Sequence, residues 1–403
     1  MKIRGVAQSS QLPKLPSLSD SHILNSFNCR IMNYNAINNF DNISTKDEVV
    51  KYNTVRRAIM FTDMPSTYSP SAHVNGAQFV SWFYSQGWEL ILLPPFPWKL
   101  FWWIASQKGL ARLMWYVVLP IQRFFEVLFK TRGAHIVIVH KGIISMSVKP
   151  VFEALLRRRH KRIIFNFDDA VYEKGIPYVP ERIALADAVW AGNPILVDYS
   201  KRYCGRVALI ESAVDCNHYT AKVSYEIHQP LQLIWSGSEY GHQYLERLRE
   251  PLKILSKGRR FVMKIVSGKK FSFNEPEIRD VWIPFDAQTE VQCLKNADIA
   301  LMPITDGPYE RAKENYKVKM YMACGLPLVC SPVGINTQFI KDGERGFFAK
   351  TSADWVRVIE QLADSQFLRE RVGRVARSYV VDKYDIPVIG PQLIKLFDDL
   401  KQE

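Results

Sequence analysis

The feature that most constrains this chain is an alternation of short apolar runs with helical patterns, and it occurs twice. The first instance starts at 57–63, an apolar run followed by a loop rich in proline and serine. A helical pattern over 74–85 ends at Gly87, a residue that favours the left-handed turn after a helix, and 88–93 is a second apolar run. Strand, helix and strand in this order predict a βαβ unit with a parallel sheet.

The alternation predicts two separate sheets. It continues to residue 210, shows no clear period over 215–229, and resumes at residue 231. At 403 residues the chain is too long for one core of ordinary size. We therefore predict an α/β fold of two Rossmann-like domains that face each other across a cleft. Ligands of such folds bind outside the carboxyl ends of the strands, which places function in the loops that follow them.

The predicted organisation has four parts. Residues 1–55 form an N-terminal extension, because asparagine is frequent there and periodic apolar residues are few. Residues 56–225 and 226–385 are the two Rossmann-like domains. Residues 386–403 form a C-terminal helix, which we expect to pack back toward the first domain.

Composition limits the class of protein. Hydrophobic residues make up 47% of the chain and charged residues 23%, which is typical of a soluble globular protein. The six cysteines are scattered without a C-x-x-C motif, and the first 20 residues lack the apolar segment of a signal peptide, so we predict a cytoplasmic location. Cys204, Cys216 and His218 do not have the spacing of a zinc site, and no metal is expected.

The formal charge of +13 is concentrated in one window. Residues 90–162 contain thirteen Lys and Arg but only two acids, Glu126 and Glu153, which leaves +11. A local excess of this size indicates a surface with an anionic partner. Nucleic acid is not favoured as that partner, because no binding motif accompanies the charge.

The same window is rich in aromatic residues. From Ile121 to Phe129 the apolar residues recur at helical spacing, with charged residues on the other face. The longest uncharged run, 113–122, has ten residues and is too short to cross a bilayer. We predict contact with an anionic membrane surface or with an acceptor, the alternative being packing into the core or a dimer contact. The residues assigned to this contact are Trp98, Trp102, Trp103, Arg112, Trp115, Arg123 and Phe124.

The most specific segment is 313–336, with the sequence KENYKVKMYMACGLPLVCSPVGIN. It predicts a helix that presents Lys313 and Lys317 one turn apart and is ended by Gly325. A strand follows, and then a loop at 331–334 with free backbone N–H groups. Basic side chains beside a helix start and an amide-rich loop form a phosphate site. A solvated basic helix beside an ordinary core strand explains the same pattern equally well.

Six segments, in the same order along the chain, resemble retaining GT-B glycosyltransferases of family four. The likeness extends over most of residues 57–385. The segments are two motifs of the first half at 165–170 and 186–193, the opening strand and loop of the donor domain at 235–245, the strand before the donor loop at 297–304, the donor-site region at 313–336 and the customary turn at 342–348.

The resemblance implies an enzyme, a metal-independent glycosyltransferase without a cofactor. It moves a hexosyl or related group from a nucleotide-sugar, bound by the second domain, to an acceptor bound by the first, with retention of configuration. Basic side chains and backbone dipoles must then hold the diphosphate leaving group. The implied donor-binding residues are Ser236, Gly237, Ser238, Asp306, Lys313, Tyr316, Lys317 and Gly334, of which Lys317 is also assigned a catalytic role.

Asp168 and Asp169 follow a predicted strand of the first domain. Asp168 falls near the position where many relatives place a histidine beside the reacting sugar. It is the second catalytic candidate, as a carboxylate that orients or deprotonates the acceptor hydroxyl. A metal-binding aspartate pair and a helix N-cap are the alternatives. Asn166, where relatives often have aspartate, is assigned a structural role.

Together these features predict a transferase for a surface polysaccharide or glycolipid, peripheral on the inner membrane face, with a saccharide or lipid-linked acceptor. The chain departs from the family at Ala312 and Met320, where many members carry glutamates. The Arg and Lys that often follow the first donor-domain strand are also missing from 238–244. A non-catalytic nucleotide-binding or scaffold protein is therefore the alternative, and a sugar-nucleotide epimerase of the same fold is another.

Overall fold

The computed structural model describes residues 55–66, 69–96, 113–144, 149–160 and 162–401. Their strands form two sheets of six strands each, and all the pairings between strands are parallel. The predicted α/β class with two Rossmann-like domains is confirmed. The predicted extension at 1–55 lies, except for Val55, outside the described residues.

The first sheet has the order β2-β1-β3-β4-β5-β6. Its central strands are buried on both faces, which explains why they read as continuous apolar runs in the sequence. The strands are β1 (Arg56–Phe61), β2 (Trp88–Leu93), β3 (Ile136–His140), β4 (Ile163–Phe167), β5 (Ala188–Ala191) and β6 (Val207–Leu209).

Helices cover the faces of this sheet. They are α1 (Pro70–Asn75), α2 (Val80–Ser85), α3 (Leu119–Phe125), α4 (Val151–Arg157), α5 (Val179–Ala184) and α6 (Pro194–Ser200). Two π-helical stretches, Met114–Val118 and Glu126–Lys130, continue α3 at either end. In the described ranges, no helix has the length and hydrophobicity needed to span a bilayer.

The single helix predicted over 74–85 is in fact two helices separated by a short 3₁₀ turn. The break is at Gly76, where a Cβ atom would lie 2.9 Å from the carbonyl oxygen of Ala72 and 3.0 Å from a methyl group of Leu92. The backbone therefore approaches β2 too closely for any other residue. The predicted end at Gly87 is correct, since this glycine has φ +77° and precedes β2 directly.

The second sheet has the order β12-β11-β10-β7-β8-β9. Its strands are β7 (Leu231–Ser236), β8 (Phe261–Ser267), β9 (Asp280–Pro284), β10 (Ile299–Met302), β11 (Leu328–Cys330) and β12 (Phe347–Phe348). The helices between them are α7 (His242–Leu245), α8 (Arg249–Ser256), α9 (Ala287–Lys295), α10 (Pro308–Arg311), α11 (Tyr316–Ala323) and α12 (Asn336–Phe339). Three longer helices end the chain: α13 (Ser352–Asp364), α14 (Gln366–Tyr384) and α15 (Ile386–Asp399).

Local sequence signals set the ends of several of these helices. The Thr351 side chain accepts from the backbone N–H of Asp354 and the Asp354 carboxylate accepts from that of Thr351, so the predicted capping box at the start of α13 is confirmed. Gly325, with φ +64°, follows α11 and turns the chain into β11. These interactions are local, so the sequence alone determines them.

The last helix, α15, crosses back and packs on the first domain. Phe397 stacks on Phe83 at 5.5 Å between ring centroids and meets Trp88 edge-on at 5.1 Å. Arg56 at the start of β1 pairs with Asp398 at 3.2 Å. A side chain at Gly390 would collide with the ring of Trp82, so this crossing requires a glycine. The helix adds apolar burial that joins the two domains.

Candidate active site between the two domains

The second domain touches the first through the segment that leads into α11. Tyr309 Oη donates to Asp169 Oδ2 at 3.2 Å, and the backbone N–H of Glu314 donates to Asp169 Oδ1 at 3.3 Å. Asn193 Nδ2 donates to the carbonyl oxygen of Ala312 at 2.9 Å. Because Asp169 follows β4 and Asn193 follows β5, the contact lies at the carboxyl edge of the first sheet, where ligands of such folds bind.

Glu314 forms the most buried link across this contact. Its carboxylate accepts from the backbone N–H of Ser212, from Ser212 Oγ at 2.5 Å and from Lys319 Nζ at 2.8 Å. Lys319 Nζ also donates to the carbonyl oxygen of Ser212 at 2.8 Å. Burial raises the pKa of Glu314 to about 7, although Lys319 and the donors of Ser212 oppose the shift. A Cβ atom at Gly192 would lie 2.7 Å from this carboxylate.

Lys317 projects its ammonium group beside the first loop of the second domain. Its Nζ lies 4.7 Å from the centroid of the Trp235 ring. In the part of the chain that the structure describes, this ammonium group has no hydrogen bond and no ion pair. Burial lowers the pKa of Lys317 to about 7, and the positive charge of Lys313 lowers it further, against Glu290 and Asp169, which raise it. An anion bound here would offset both the burial of the Lys317 charge and its repulsion from Lys313.

Lys313 is the second cation of this group. Its Nζ lies 5.3 Å from the centroid of the Tyr309 ring, which also holds Lys174 at 4.3 Å. The charge of Lys313 lowers the pKa of Lys317, so the two ammonium groups lie near enough to interact. Two neighbouring cations that form no ion pair among the described residues are suited to bind a phosphate or diphosphate.

The loop after β7 is fitted closely around Lys317. A Cβ atom at Gly237 would collide with Lys317 Nζ and would lie 2.6 Å from Lys317 Cε, and one at Gly241 would lie 3.3 Å from Nζ. Ser238 is exposed at the start of the short 3₁₀ turn Glu239–Gly241. The structure thus brings Gly237 and Ser238 to the same place as Lys317.

The side chain of Ser236 does not reach the cleft. It is 1% exposed, its Oγ donates to Glu290, and its backbone N–H donates to Tyr321 Oη at 2.9 Å. Glu290 also accepts from Tyr219 Oη at 3.2 Å. The Ser236 hydroxyl is therefore already used to anchor the end of β7 on α9, and the predicted place of this residue beside the diphosphate or nucleoside stays a prediction.

The other predicted donor residues lie around α10 and the start of α11. Tyr316 begins α11 and meets Tyr219 edge-on at 6.4 Å, and burial raises the pKa of its hydroxyl. Asp306 is exposed and forms a two-pronged pair with Arg311 at 2.6 and 3.1 Å, whose hydrogen bonds lower the pKa of Asp306. Gly334 has φ +52°, and a Cβ atom there would overlap the backbone of Arg311. The absence of a side chain at Gly334 thus lets the loop after β11 pack directly against the end of α10.

Asp168 ends β4 inside a buried polar group of the first domain. Lys141 Nζ lies 2.7 Å from Asp168 Oδ1, while Asn75 Nδ2 donates to Oδ2 at 3.0 Å and Ser71 Oγ donates to the same oxygen. Burial raises the pKa of Asp168, but Lys141, His140 and these donors hold it well below its usual range. The N-cap alternative is wrong, because the turn that follows, Val171–Lys174, starts after Ala170 and takes no bond from Asp168.

The sequence-based interpretation missed Ser71, His140 and Lys141. His140 Nδ1 is 2.6 Å from Asn166 Oδ1 and its Nε2 is 3.0 Å from Ser71 Oγ, while Lys141 Nζ donates to Ser71 Oγ at 2.8 Å. Burial, together with the charge of Lys141, lowers the pKa of His140. Lys141 has φ +60°, an uncommon left-handed conformation for a residue other than glycine. The sequence did carry one signal for this group, because two polar residues, His140 and Lys141, directly follow the apolar run 136–139.

The residues predicted to contact a membrane or an acceptor in the basic aromatic window lie in different surroundings. Trp98, Trp102, Trp103 and Arg112 lie outside the described residues, and Trp115 is half-buried with its ring edge-on to Phe96 at 5.8 Å. Phe124 is exposed. The role predicted for Arg123, contact with a membrane or an acceptor, is wrong. Its guanidinium is fully buried and donates to Glu126 Oε2 at 2.7 Å and to the carbonyl oxygens of Leu93 and Thr62 at 3.0 and 2.9 Å.

No metal centre is formed by the residues that the structure describes, since no group of three His, Cys, Asp or Glu side chains could hold an ion there. Cys204 and Cys216 are free thiols. Ala312 and Met320, at the positions where many family members carry glutamates, are both buried in apolar clusters.

Two parallel-sheet domains that meet at the carboxyl edge of the first sheet, with Lys313 and Lys317 of the second domain near that contact, have the arrangement of a GT-B fold. Residues 279–365 match the family model described as glycosyl transferases group 1. No match to a curated protein was found.

Solved structures with the same fold cover nearly the whole described molecule. A glycosyltransferase from Rickettsia africae is 13% identical, with a TM-score of 0.62 over 87% of this chain and 100% of that one. Sucrose-phosphate synthase from Thermosynechococcus elongatus is 12% identical, with a TM-score of 0.60 over 86% and 99%. HepE from Anabaena, in complex with UDP, is 11% identical, with a TM-score of 0.57 over 85% and 100%. The GT-B fold is confirmed, and the family match lies within the second domain.

Proposed function

We propose that this chain is a retaining, metal-independent glycosyltransferase that uses a nucleotide-sugar donor. The observation that carries the proposal is the pair Lys313 and Lys317, whose ammonium groups lie against the Tyr309 and Trp235 rings and form no ion pair among the described residues. Such a pair is destabilising by itself and is relieved when it binds a diphosphate. Its position between the domains matches what transfer from a nucleotide diphosphate to an acceptor requires.

On the donor side, the second domain supplies the groups that stabilise the leaving diphosphate. Lys313 and Lys317 provide positive charge, and the loop at Gly237 and Ser238 allows close approach, while the backbone N–H of Gly237 is already bonded to the carbonyl oxygen of Val266 at 3.0 Å. Fixed cations of this kind stabilise negative charge as it develops, without a metal ion. HepE, which has the same fold, is in complex with UDP, and UDP is therefore the first nucleotide to test.

On the acceptor side, Asp168 orients a hydroxyl group rather than deprotonating it. Its pKa lies well below the usual range, and Lys141, Ser71 and Asn75 already occupy its oxygens. A carboxylate held in this way is a weak base. Asp168 and Lys141 therefore form a fixed charged pair that positions the acceptor or the sugar, and the proton of the acceptor hydroxyl passes to the diphosphate as its bond to the sugar breaks.

The acceptor we propose is a saccharide or a lipid-linked saccharide of a surface polysaccharide or glycolipid, met on the cytoplasmic side. The support is the basic aromatic window, part of which the structure shows as an exposed apolar surface. Retention of configuration rests on the resemblance of 313–336 to the retaining family. Assignment of the product anomer by nuclear magnetic resonance tests it directly.

A panel of sugar nucleotides tests the function as a whole. Thermal shift and calorimetry with UDP, GDP and their sugars should show binding of one base, and the matching sugar nucleotide should be hydrolysed or transferred. Lys317→Ala should weaken nucleotide binding by about tenfold or more, since it removes one charge-assisted contact. Lys341→Ala, an exposed lysine on the same domain, should leave binding unchanged. Absence of binding to every nucleotide would refute the proposal.

A non-catalytic nucleotide-binding protein is the second candidate, and the observation that favours it is the burial of Ala312 and Met320 in apolar clusters. Neither position can provide a carboxylate for a ribose or a sugar. This candidate predicts nucleotide binding that depends on Lys317 but neither transfer nor hydrolysis of the bound sugar nucleotide. Turnover of any sugar nucleotide would exclude it.

A further inference from the structure

The helical stretch 113–130 has apolar residues on both of its sides. Its inner side packs on the first domain through Leu119 and Val127, both buried. Its outer side presents seven large apolar side chains that are between 44% and 80% exposed. We name them the outer stripe: Leu113, Tyr116, Val117, Ile121, Phe124, Phe125 and Phe129.

The outer stripe is one continuous surface. Its residues recur every three or four positions, which puts them on one side of a helix. Phe125 lies 5.7 Å from Phe124 and stacks on Phe129 at 6.0 Å between ring centroids. Single exposed apolar residues are common on soluble proteins, whereas a contiguous patch of this kind marks a surface that binds a partner.

Basic residues lie at one end of the stripe. Lys130 is exposed, the Arg132 guanidinium lies 5.5 Å from the centroid of Phe129, and Arg159 Nη2 donates to the carbonyl oxygen of Leu128 at 3.2 Å. Arg158 is exposed beside them. The acid of this stretch, Glu126, is buried and pairs with both Arg123 and Lys130, which leaves one net positive charge on the three residues. The charge beside the stripe is therefore positive without a compensating exposed carboxylate from the helix itself.

We propose that the outer stripe binds the surface of an anionic lipid bilayer and lies in the plane of its interface. Apolar rings next to exposed Lys and Arg are the two features that peripheral amphipathic helices use, one for the acyl region and one for anionic headgroups. Tyr116, the most exposed of the set, has the apolar ring and polar hydroxyl that suit this interface.

The positive charge beside the outer stripe indicates which partner covers the stripe, a bilayer or a second copy of this chain. A two-fold contact through the stripe would enclose Lys130, Arg132 and Arg158 of both copies in or beside one interface, with no exposed carboxylate of the stripe to neutralise them. An anionic bilayer neutralises the same residues. The observed charge therefore favours lipid.

The position of the stripe relates it to the candidate active site. Arg123, on the inner side of the same helix, donates to the carbonyl oxygens of Leu93 and Thr62, the last residue of β2 and the residue after β1. The helix therefore lies at the carboxyl edge of the first sheet, the edge that also carries Asp168 and Lys141. Docking through the stripe would bring this edge to the membrane, where a lipid-linked acceptor is found. This last step rests on the proposed function, whereas docking itself does not.

Vesicle flotation of the full chain, without any nucleotide, tests the proposal. The unmodified protein should float with vesicles of phosphatidylcholine and phosphatidylglycerol, and less with phosphatidylcholine alone. The triple variant Phe124→Ser, Phe125→Ser, Phe129→Ser should lose more than about tenfold in partitioning, because each ring contributes roughly tenfold when it leaves water. These side chains are exposed, so circular dichroism and the melting temperature should remain close to those of the unmodified protein.

A matched control changes exposed apolar residues elsewhere. The variant Val223→Ser, Phe367→Ser alters side chains that are 91% and 76% exposed and should partition as the unmodified protein does. Equal flotation of the triple variant and this control would overturn the proposal. So would a dimer in light scattering that the triple variant dissociates while vesicle binding is absent.

The basic residues are tested separately. The variant Arg132→Gln, Arg158→Gln should lose about fivefold per charge on anionic vesicles and little on neutral ones. The exposed pair Lys201→Gln, Arg357→Gln is the control. Flotation that does not change with salt or with anionic lipid would overturn the electrostatic part. Because no arm uses a sugar nucleotide, a failure here leaves the proposed function to its own test.

Discussion

At the scale of single residues, the same charge has opposite roles in different surroundings. Lys317 and Arg123 are both basic residues on helices, and residue type alone does not tell either of them from an ordinary basic residue at the surface. Arg123 is paired with Glu126 and with two carbonyl oxygens, so it is a structural residue. Lys317 has no such partner among the described residues and remains available for an anion. The difference lies in which acceptors the fold places nearby.

The lowered pKa of Lys317 predicts how nucleotide binding depends on pH. With a pKa of about 7 in the free protein, Lys317 loses its proton as pH rises above about 7, and a bound diphosphate must restore it. The dissociation constant for UDP should therefore rise between about pH 7 and about pH 9, by up to about tenfold per pH unit. Calorimetry in buffers of different ionisation enthalpy should detect proton uptake in that range.

The matched variant for this measurement is Lys317→Arg. Arginine keeps its charge throughout this range, so its binding should vary little with pH. A dissociation constant for the unmodified protein that stays flat over the range would contradict the role given to Lys317.

Arg123 gives a prediction about stability. Arg123→Leu leaves the buried Glu126 carboxylate with only Lys130 as its cationic partner, and should lower the free energy of unfolding by about 3 kcal/mol. The double variant Arg123→Leu, Glu126→Leu removes both charges and should recover much of that loss. Urea unfolding of the two variants measures the difference. If the double variant were as unstable as the single one, the bonds to the carbonyl oxygens of Leu93 and Thr62 would be the larger contribution.

At the scale of elements, the loop after β11 shows how a glycine positions a neighbouring helix. Gly334 has φ +52° and lies against the backbone of Arg311, the last residue of α10. Since α10 leads directly into the segment that carries Lys313, the packing at Gly334 fixes where that lysine stands. The sequence motif at 331–334 therefore acts through contact with α10. The free backbone N–H groups predicted for this loop are mostly used, since those of Ser331 and Val333 donate to the carbonyl oxygens of Met302 and Ser331 and Pro332 has none.

Gly334→Ala should disturb this arrangement. The added methyl group is strained at positive φ and overlaps the backbone of Arg311, so the free energy of unfolding should fall by about 1–3 kcal/mol and nucleotide affinity should fall with it. Thr351→Ala is the comparison: loss of the α13 cap should cost about 1 kcal/mol and leave affinity unchanged. Equal affinity in both variants would show that Gly334 does not position the site.

At the scale of the whole molecule, the two domains are joined in two ways. Glu314, Lys319 and Ser212 form a buried polar link near the cleft. At the opposite end, α15 returns to the first domain and packs Phe397 between Phe83 and Trp88. Both links use residues far apart in the chain, so the relative placement of the domains is a property of the tertiary structure.

The raised pKa of Glu314 predicts a pH dependence of stability. Its pKa is about 7 in the folded protein, above the ordinary glutamate value of 4.5, so the folded state binds more protons than the unfolded chain between these values. This group's contribution to stability is therefore fully present below about pH 4.5 and is lost as pH rises toward about 7. Glu314→Gln, which keeps much of the shape, should remove this component from the pH profile of urea unfolding. Glu226→Gln, an exposed change, should preserve it.

What the sequence determined by itself was mostly local. Apolar runs, helix periods, the capping box at Thr351 and the glycines at 87 and 325 depend on neighbours within a few residues, and the structure has the predicted elements there. The order of these elements was enough to predict two parallel-sheet domains. The resemblance of 313–336 then led to the family, which the match at 279–365 supports.

What only the tertiary structure decided was which distant residues meet. Ser71, Lys141 and Asp168 come from three separate elements, and nothing in the spacing of the sequence relates them. Burial likewise removed Arg123 from its predicted contact and occupied the hydroxyl of Ser236, because each side chain found partners that its own segment does not contain. Local propensity acts over a few residues, whereas hydrogen bonding and burial act between surfaces that only folding brings together.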